Sequence, residues 1–296
     1  MGKAKRILLP ALLLAVSLCS ALAQTPLERG NYLVNGIMAC GNCHTPKDAS
    51  GQPIAEQEFS GGLSFTTPAF NAVTANITPD RETGIGDWSD DEIKRALIDG
   101  SRPNHGRLAG TPLAAVMPAG FYKALLPPDL DAVVAYLRSV KPLRNEVKAP
   151  EYKQPVHRDA YADAEKGFMA SDMTDPVRHG AYLATIGHCM ECHSAWSRGI
   201  SDFERGLGKG GRPFGTDLVQ GYPASWQGSV APNITSHKEK GIGAWTDGEI
   251  KRAITQAVRR DGTALKRPMA YEFYARMSDA DLNGIVAWLR TVPPLD

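Results

Sequence analysis

The sequence is poor in aromatic side chains, with 5 Trp, 9 Tyr and 8 Phe among 296 residues. A chain of this length suffices for two domains of ordinary size, each with a small core of its own. A core thin in rings leaves room for a cofactor to complete it. An excess of charge of one sign is missing too. Lys and Arg number 33 against 32 Asp and Glu, a formal net charge of +1. That excludes the basic footprint of a nucleic-acid binder or of a protein held on an anionic membrane. Beyond residue 23 no apolar run approaches the ~20 residues that span a bilayer. Few stretches alternate as strands do. Cysteine is sparse: Cys19, Cys40, Cys43, Cys189 and Cys192 are the five.

The one apolar run lies at the start. Lys3, Lys5 and Arg6 precede residues 7–18, which are apolar apart from Pro10 and Ser17, and Ala21-Leu22-Ala23 follows. This pattern predicts a secretory signal peptide over residues 1–23, with Gln24 opening an exported mature chain. An uncleaved anchor and a lipid attachment at Cys19 are the alternatives. The run is short for the first, and Leu18 is bulky for the second. Export leaves four cysteines, which would ordinarily suggest disulfides. Their grouping into two close pairs predicts none.

The chain repeats itself. Gly30-Asn31-Tyr32-Leu33 precedes Cys40-Gly41-Asn42-Cys43-His44, and Gly180-Ala181-Tyr182-Leu183 precedes Cys189-Met190-Glu191-Cys192-His193. Asn76-Ile77-Thr78 is answered by Asn233-Ile234-Thr235, and Gly84-Ile85-Gly86-Asp87-Trp88-Ser89 by Gly241-Ile242-Gly243-Ala244-Trp245-Thr246. Ser89 with Glu92, and Thr246 with Glu249, are spaced as capping boxes that start helices. Residues 129–139 and 281–291 carry apolar side chains at helical spacing. Pro127 stands at the first helical position of one, and Ser278 is placed to cap the other. The Asn-x-Thr triplets match a glycosylation sequon, but their fixed place in both copies favours a structural role.

Cys-x-x-Cys-His sets two thiols on one face of a helical turn with an imidazole beside them. Two thioether bonds to the vinyl groups of a haem and a histidine on its iron need that spacing. Zinc would require further Cys or His nearby, and a thioredoxin-like pair an α/β setting; neither is present. Two motifs in register predict two covalently attached haem c groups, held by Cys40 and Cys43 and by Cys189 and Cys192. His44 and His193 are the proximal iron ligands.

For the sixth ligand the first copy offers Met117 and the second Met269 or Met277. Met117 is followed by Phe121-Tyr122 and Met269 by Phe273-Tyr274, so the repeat selects Met117 and Met269 and leaves Met277 as packing. A thioether opposite histidine raises the haem potential and suits electron transfer. His105 and His237 are rivals that do not align with each other and read as loop residues.

Asn-Ile-Thr-Pro-Asp, Gly-Ile-Gly-x-Trp-Ser-Asp-x-Glu, Met-Pro and Asp-Leu-x-x-x-x-x-Tyr-Leu-Arg together resemble the cytochrome c subunits of bacterial periplasmic dehydrogenases acting on alcohols or gluconate, and of some molybdenum hydroxylases. The best-known of those carry three haems, against two motifs here. The resemblance implies an all-α fold of two tandem cytochrome c domains with long loops, residues 24–144 and 177–296, joined by an extended linker, residues 145–176. It implies Trp88 and Trp245 near their haems and the Asn-Ile-Thr turns along the haem edges. Its further implication is periplasmic electron transfer, with a periplasmic or membrane-associated dehydrogenase as donor and a cytochrome or terminal oxidase as acceptor. The alternative is a di-haem enzyme of peroxidase or thiosulfate-oxidising type. A matched methionine in both copies, and no cysteine left over, weigh against it.

Overall fold

The structure, a computed structural model, describes residues 24–197 and 199–296, so the expected signal peptide lies outside the described residues. Thr25 and Glu28 close a reciprocal capping box that starts α1 (Pro26–Asn35). A sharp reversal leads to α2 (Cys40–His44). The loop that follows carries β1 (Ser64–Thr66) and β2 (Phe70–Val73). Ser89 and Glu92 form the predicted box ahead of α3 (Asp90–Asp99), and α4 (Ala119–Tyr122) leads into α5 (Pro127–Ser139).

The second copy runs in the same order. Asp175 caps α7 (Pro176–Ile186), and α8 (Cys189–His193) follows. Two short hairpins come next, β4 (Ala195–Ser197) with β5 (Ile200–Asp202) and β6 (Pro213–Phe214) with β7 (Ser229–Val230). Thr246 and Glu249 cap α9 (Asp247–Gln256), α10 (Tyr271–Tyr274) follows, and Ser278 accepts from the Asp281 amide to start α11 (Asp279–Leu289). Between the copies lie β3 (Glu151–Tyr152), α6 (Ala162–Lys166) and a 3₁₀ turn at Ala170–Thr174.

Each copy is built on one tight helix crossing, α1 on α5 and α7 on α11. A Cβ at Gly30 would stand 2.0 Å from the Ala132 carbonyl oxygen, and one at Gly180 would stand 1.9 Å from that of Gly284. The glycine of each Gly-x-Tyr-Leu signature is therefore where two backbones meet, and any side chain would part them.

The all-α expectation is wrong. Among the described residues seven short strands pair antiparallel in three small sheets, and the loops account for much of the rest. The first sheet draws on distant segments. β3 pairs with β2 through Phe70 and Tyr152, and on the other edge Val219 bridges Phe65. Strands of two to four residues show no alternation to read. Their stability comes from partners far along the chain.

The expectation of two tandem domains, each with its own core and linked by an extended segment, also needs correction. The main apolar cluster is continuous through both copies, from Leu33 and Val133 to Tyr182, Ile285 and Val292. At the seam a Cβ on Gly187 would meet Ile37 Cδ1 at 2.7 Å, and one on Gly41 would meet the Phe273 ring at 3.1 Å. The intervening segment is folded against the copies. Residues of each copy therefore help to complete the core of the other.

Candidate functional site

Both Cys-x-x-Cys-His helices follow a left-handed residue that is not glycine, Ala39 (φ 47°) and His188 (φ 43°). Strain of that kind persists only where the surroundings enforce it. Here it swings the first cysteine of each motif off the end of α1 or α7. His44 Nδ1 lies 2.8 Å from the Ala75 carbonyl oxygen, and His193 Nδ1 2.9 Å from that of Pro232. A carbonyl only accepts, so the proton sits on Nδ1 and the Nε2 lone pair is left free for a metal. Burial holds both imidazoles below their ordinary pKa, keeping them neutral.

The carbonyls that orient these histidines are themselves fixed by the Asn-Ile-Thr turns. Asn76 Oδ1 accepts from the Thr78 amide at 2.9 Å, and Asn76 Nδ2 donates to the Leu143 carbonyl at 2.6 Å. Asn233 repeats this with Thr235 at 2.8 Å and Leu295 at 2.6 Å. Both asparagine side chains are engaged inside the fold, which accords with the structural role expected of the triplets.

A single cavity of about 1260 Å³ runs through both copies. All four motif cysteines, His44, His193, Met117 and Met269 line it, together with Trp88 and Trp245. The structure thus brings every sequence-predicted site residue to one continuous space. Met277 is buried in the core instead. His105 stands at the cavity rim, 3.0 Å from Glu92. His237 Nδ1 accepts from the amides of Glu239 and Lys240, as a loop residue does.

The donor set fits a thioether-bound haem better than the rivals. The four cysteines are free thiols. Burial pushes Cys40 and Cys189 up to about 12 and Cys43 to about 11. A thioredoxin-like redox pair would need the opposite shift at its reactive cysteine. No group of three or more His, Cys, Asp or Glu placed to share a metal ion occurs among the described residues.

Sequence reasoning missed several residues that line this cavity or hold its lining loops. Arg138 reaches from α5 to the carbonyls of Ile85 and Trp88, and Arg290 reaches from α11 to those of Ile242 and Trp245. Each arginine thereby holds a tryptophan loop against the cavity. Tyr122 and Tyr274 line it, as do Arg102 and Arg259. All three pairs stand at matched places in the two copies. That repetition was the available signal.

Residues 177–293 match the family described as cytochrome c. The second copy thus matches a cytochrome c domain, and the chain as a whole is similar to cytochrome c subunits. It is 30% identical over 91% of its length to the gluconate 2-dehydrogenase cytochrome c subunit of Pantoea cypripedii, covering 60% of that protein. It is 28% identical over 93% of its length to the cytochrome c subunit of a quinone alcohol dehydrogenase of Gluconacetobacter polyoxogenes, covering 59% of it. A protein named as a diheme cytochrome c of Cereibacter sphaeroides is 26% identical over 87% of this chain and 83% of its own length. The chain thus spans about 60% of the length of the dehydrogenase subunits it resembles. Covalently bound haem c is the cofactor that goes with this family.

Proposed function

We propose that this cytochrome holds two haem c groups and works in the periplasm as an electron carrier. It takes electrons from a partner dehydrogenase and passes them towards a terminal oxidase. Cys40 and Cys43 would bind one haem and Cys189 and Cys192 the other, with His44 and Met117, and His193 and Met269, on the two irons. When bound, the irons supply one-electron redox chemistry in a His/Met field that favours a high potential. The chain's own part is to orient the imidazoles through Ala75 and Pro232, present the thioethers, and keep the site apolar.

One observation carries the reading: both motifs and both methionines line the same cavity in matched order. Similarity to cytochrome subunits of dehydrogenases supports a dehydrogenase as donor. No helix among the described residues is long and apolar enough to cross a membrane. A carrier is favoured over an enzyme because a thioether stands ready at the same place in both copies, whereas catalysis at iron needs an open position.

Intact mass of the exported protein is expected to equal the chain from Gln24 plus two haems. The oxidised protein is expected to show a near-infrared sulfur-to-iron band that loses about half its strength in Met117→Leu or Met269→Leu and none in Met277→Leu. Rapid mixing with a reduced dehydrogenase of the gluconate or alcohol type should reduce both haems. Turnover of peroxide or thiosulfate by the isolated cytochrome would defeat the carrier reading.

A further inference from the structure

Three carbonyl oxygens of the turn before α4 converge on one guanidinium. Arg158 donates from Nη2 to Leu113 at 2.7 Å and from Nη1 to Met117 at 2.7 Å, with Ala114 at 3.5 Å from Nη1. Arg158 belongs to neither copy but to the segment between them. Its fork lies over Gly100, where a Cβ would stand 2.3 Å from Nη2. The left-handed glycine that ends α3 therefore makes room for it.

The other methionine segment is also reached from outside its copy. Asn42, between the two cysteines of the first motif, donates Nδ2 to the Pro268 carbonyl at 3.1 Å, directly before Met269. Lys47 Nζ anchors the Asn42 carbonyl at 3.0 Å. The repeat accounts for neither contact. The second-copy position that matches Asn42 is Glu191, whose carboxylate lies 3.0 Å from His188 Nδ1.

We propose that Arg158 and Asn42 are positioning residues for the two methionine segments. Arg158 fixes Met117 for the iron of the first motif, and Asn42 fixes Met269 for the iron of the second. This rests on the reading of those methionines as sixth ligands. A neutral thioether binds iron only while the main chain presents its sulfur in place, and a ligand is as well placed as the groups that support it. Because the two supports differ in kind, the two haems respond to different substitutions. Because Arg158 comes from the segment between the copies and Asn42 from the opposite copy, neither site is complete in one copy alone.

The test uses the full mature chain with its haems attached, reading the sulfur-to-iron band and both midpoint potentials. Arg158→Ala is expected to weaken the band by up to about half and lower one midpoint. Arg158→Lys, keeping one donor and the charge, should restore part of both. Asn42→Ala should lower the other midpoint. If Arg158→Ala yields no holoprotein, Arg158→Lys carries the test, and wild-type values in it overturn the proposal. Wild-type band and potentials in both alanine variants overturn it too. A band halved by Met117→Leu yet untouched by Arg158→Ala defeats this proposal alone. A band that keeps its full strength in Met117→Leu defeats the ligand reading, and this proposal with it.

Discussion

The hydroxyl of Tyr32, in the first helix of one copy, lies 2.5 Å from Asp281 Oδ2, in the last helix of the other, and Tyr182 makes the reciprocal bond to Asp129 Oδ2 at 2.5 Å. Asp129 also takes both arms of Arg29 at 2.8 Å, where Asp281 has His179 Nε2 at 3.4 Å. Both carboxylates are buried. Losing a hydrogen bond to a charged, buried acceptor costs about 1.5–3 kcal/mol. Tyr182→Phe, at a fully buried position, is expected to cost that much, and Tyr32→Phe somewhat less. Denaturant midpoints at unchanged slope are the measurement; a Tyr182→Phe variant as stable as the parent would contradict it.

These crossed bonds join α1 to α11 and α7 to α5 over a core that has no break between the copies. The holoprotein is therefore expected to unfold in one cooperative step, with far-UV circular dichroism and haem absorbance changing together. Two transitions well separated in denaturant would mean that the halves are stable by themselves.

Residue types and spacing made the cofactor chemistry legible. Cys-x-x-Cys-His needs no distant partner to be recognised, and the capping boxes at Ser89 and Thr246 are local bonds written within four residues. The duplication added reach by selecting Met269 over Met277. What it could not supply was the relation between the copies. Tyr32 meets Asp281 across 249 residues, and an amphipathic stripe declares only that a helix needs a partner, without saying which one. The sheet on β2 was hidden for the same reason, because its edges come from β3 and Val219. Arg158 lies in the segment between the copies, so repetition gave no hint of it. Tyr32 and Tyr182, and Asp129 and Asp281, did recur in register. A buried polar pair repeated in both copies was the sign that each served the other.

The glycines at the helix crossings should be intolerant in both copies alike. Gly30→Ala and Gly180→Ala would drive a methyl into a backbone carbonyl, and overpacking of this kind costs about 1–3 kcal/mol or more. Gly248, in α9, is the control, since a Cβ there meets nothing within 4 Å. Gly248→Ala is expected to be neutral or to stabilise by about 0.4–1 kcal/mol. Thermal or chemical unfolding of the three variants decides the matter, and equal stabilities would refute the crossing as described.

Alkaline pH should undo the fold through its buried tyrosines. Burial first, then the neighbouring Asp129 carboxylate, holds the Tyr182 phenol well above its ordinary value, and burial does the same to Tyr122 and Tyr274. In the unfolded chain these groups ionise near about pH 10. Above that pH the unfolded state has released protons that the native state still binds, so stability falls as pH rises. The slope approaches ~1.4 kcal/mol per pH unit for each tyrosine so held. Below about pH 9 these groups are protonated in both states and contribute no slope. Chemical denaturation from about pH 8 to pH 11 should therefore give a plateau and then a steep decline, shallower in Tyr182→Phe, which has one fewer phenol to keep protonated. Stability that stays level across the upper part of that range would show that the phenols are not held as described.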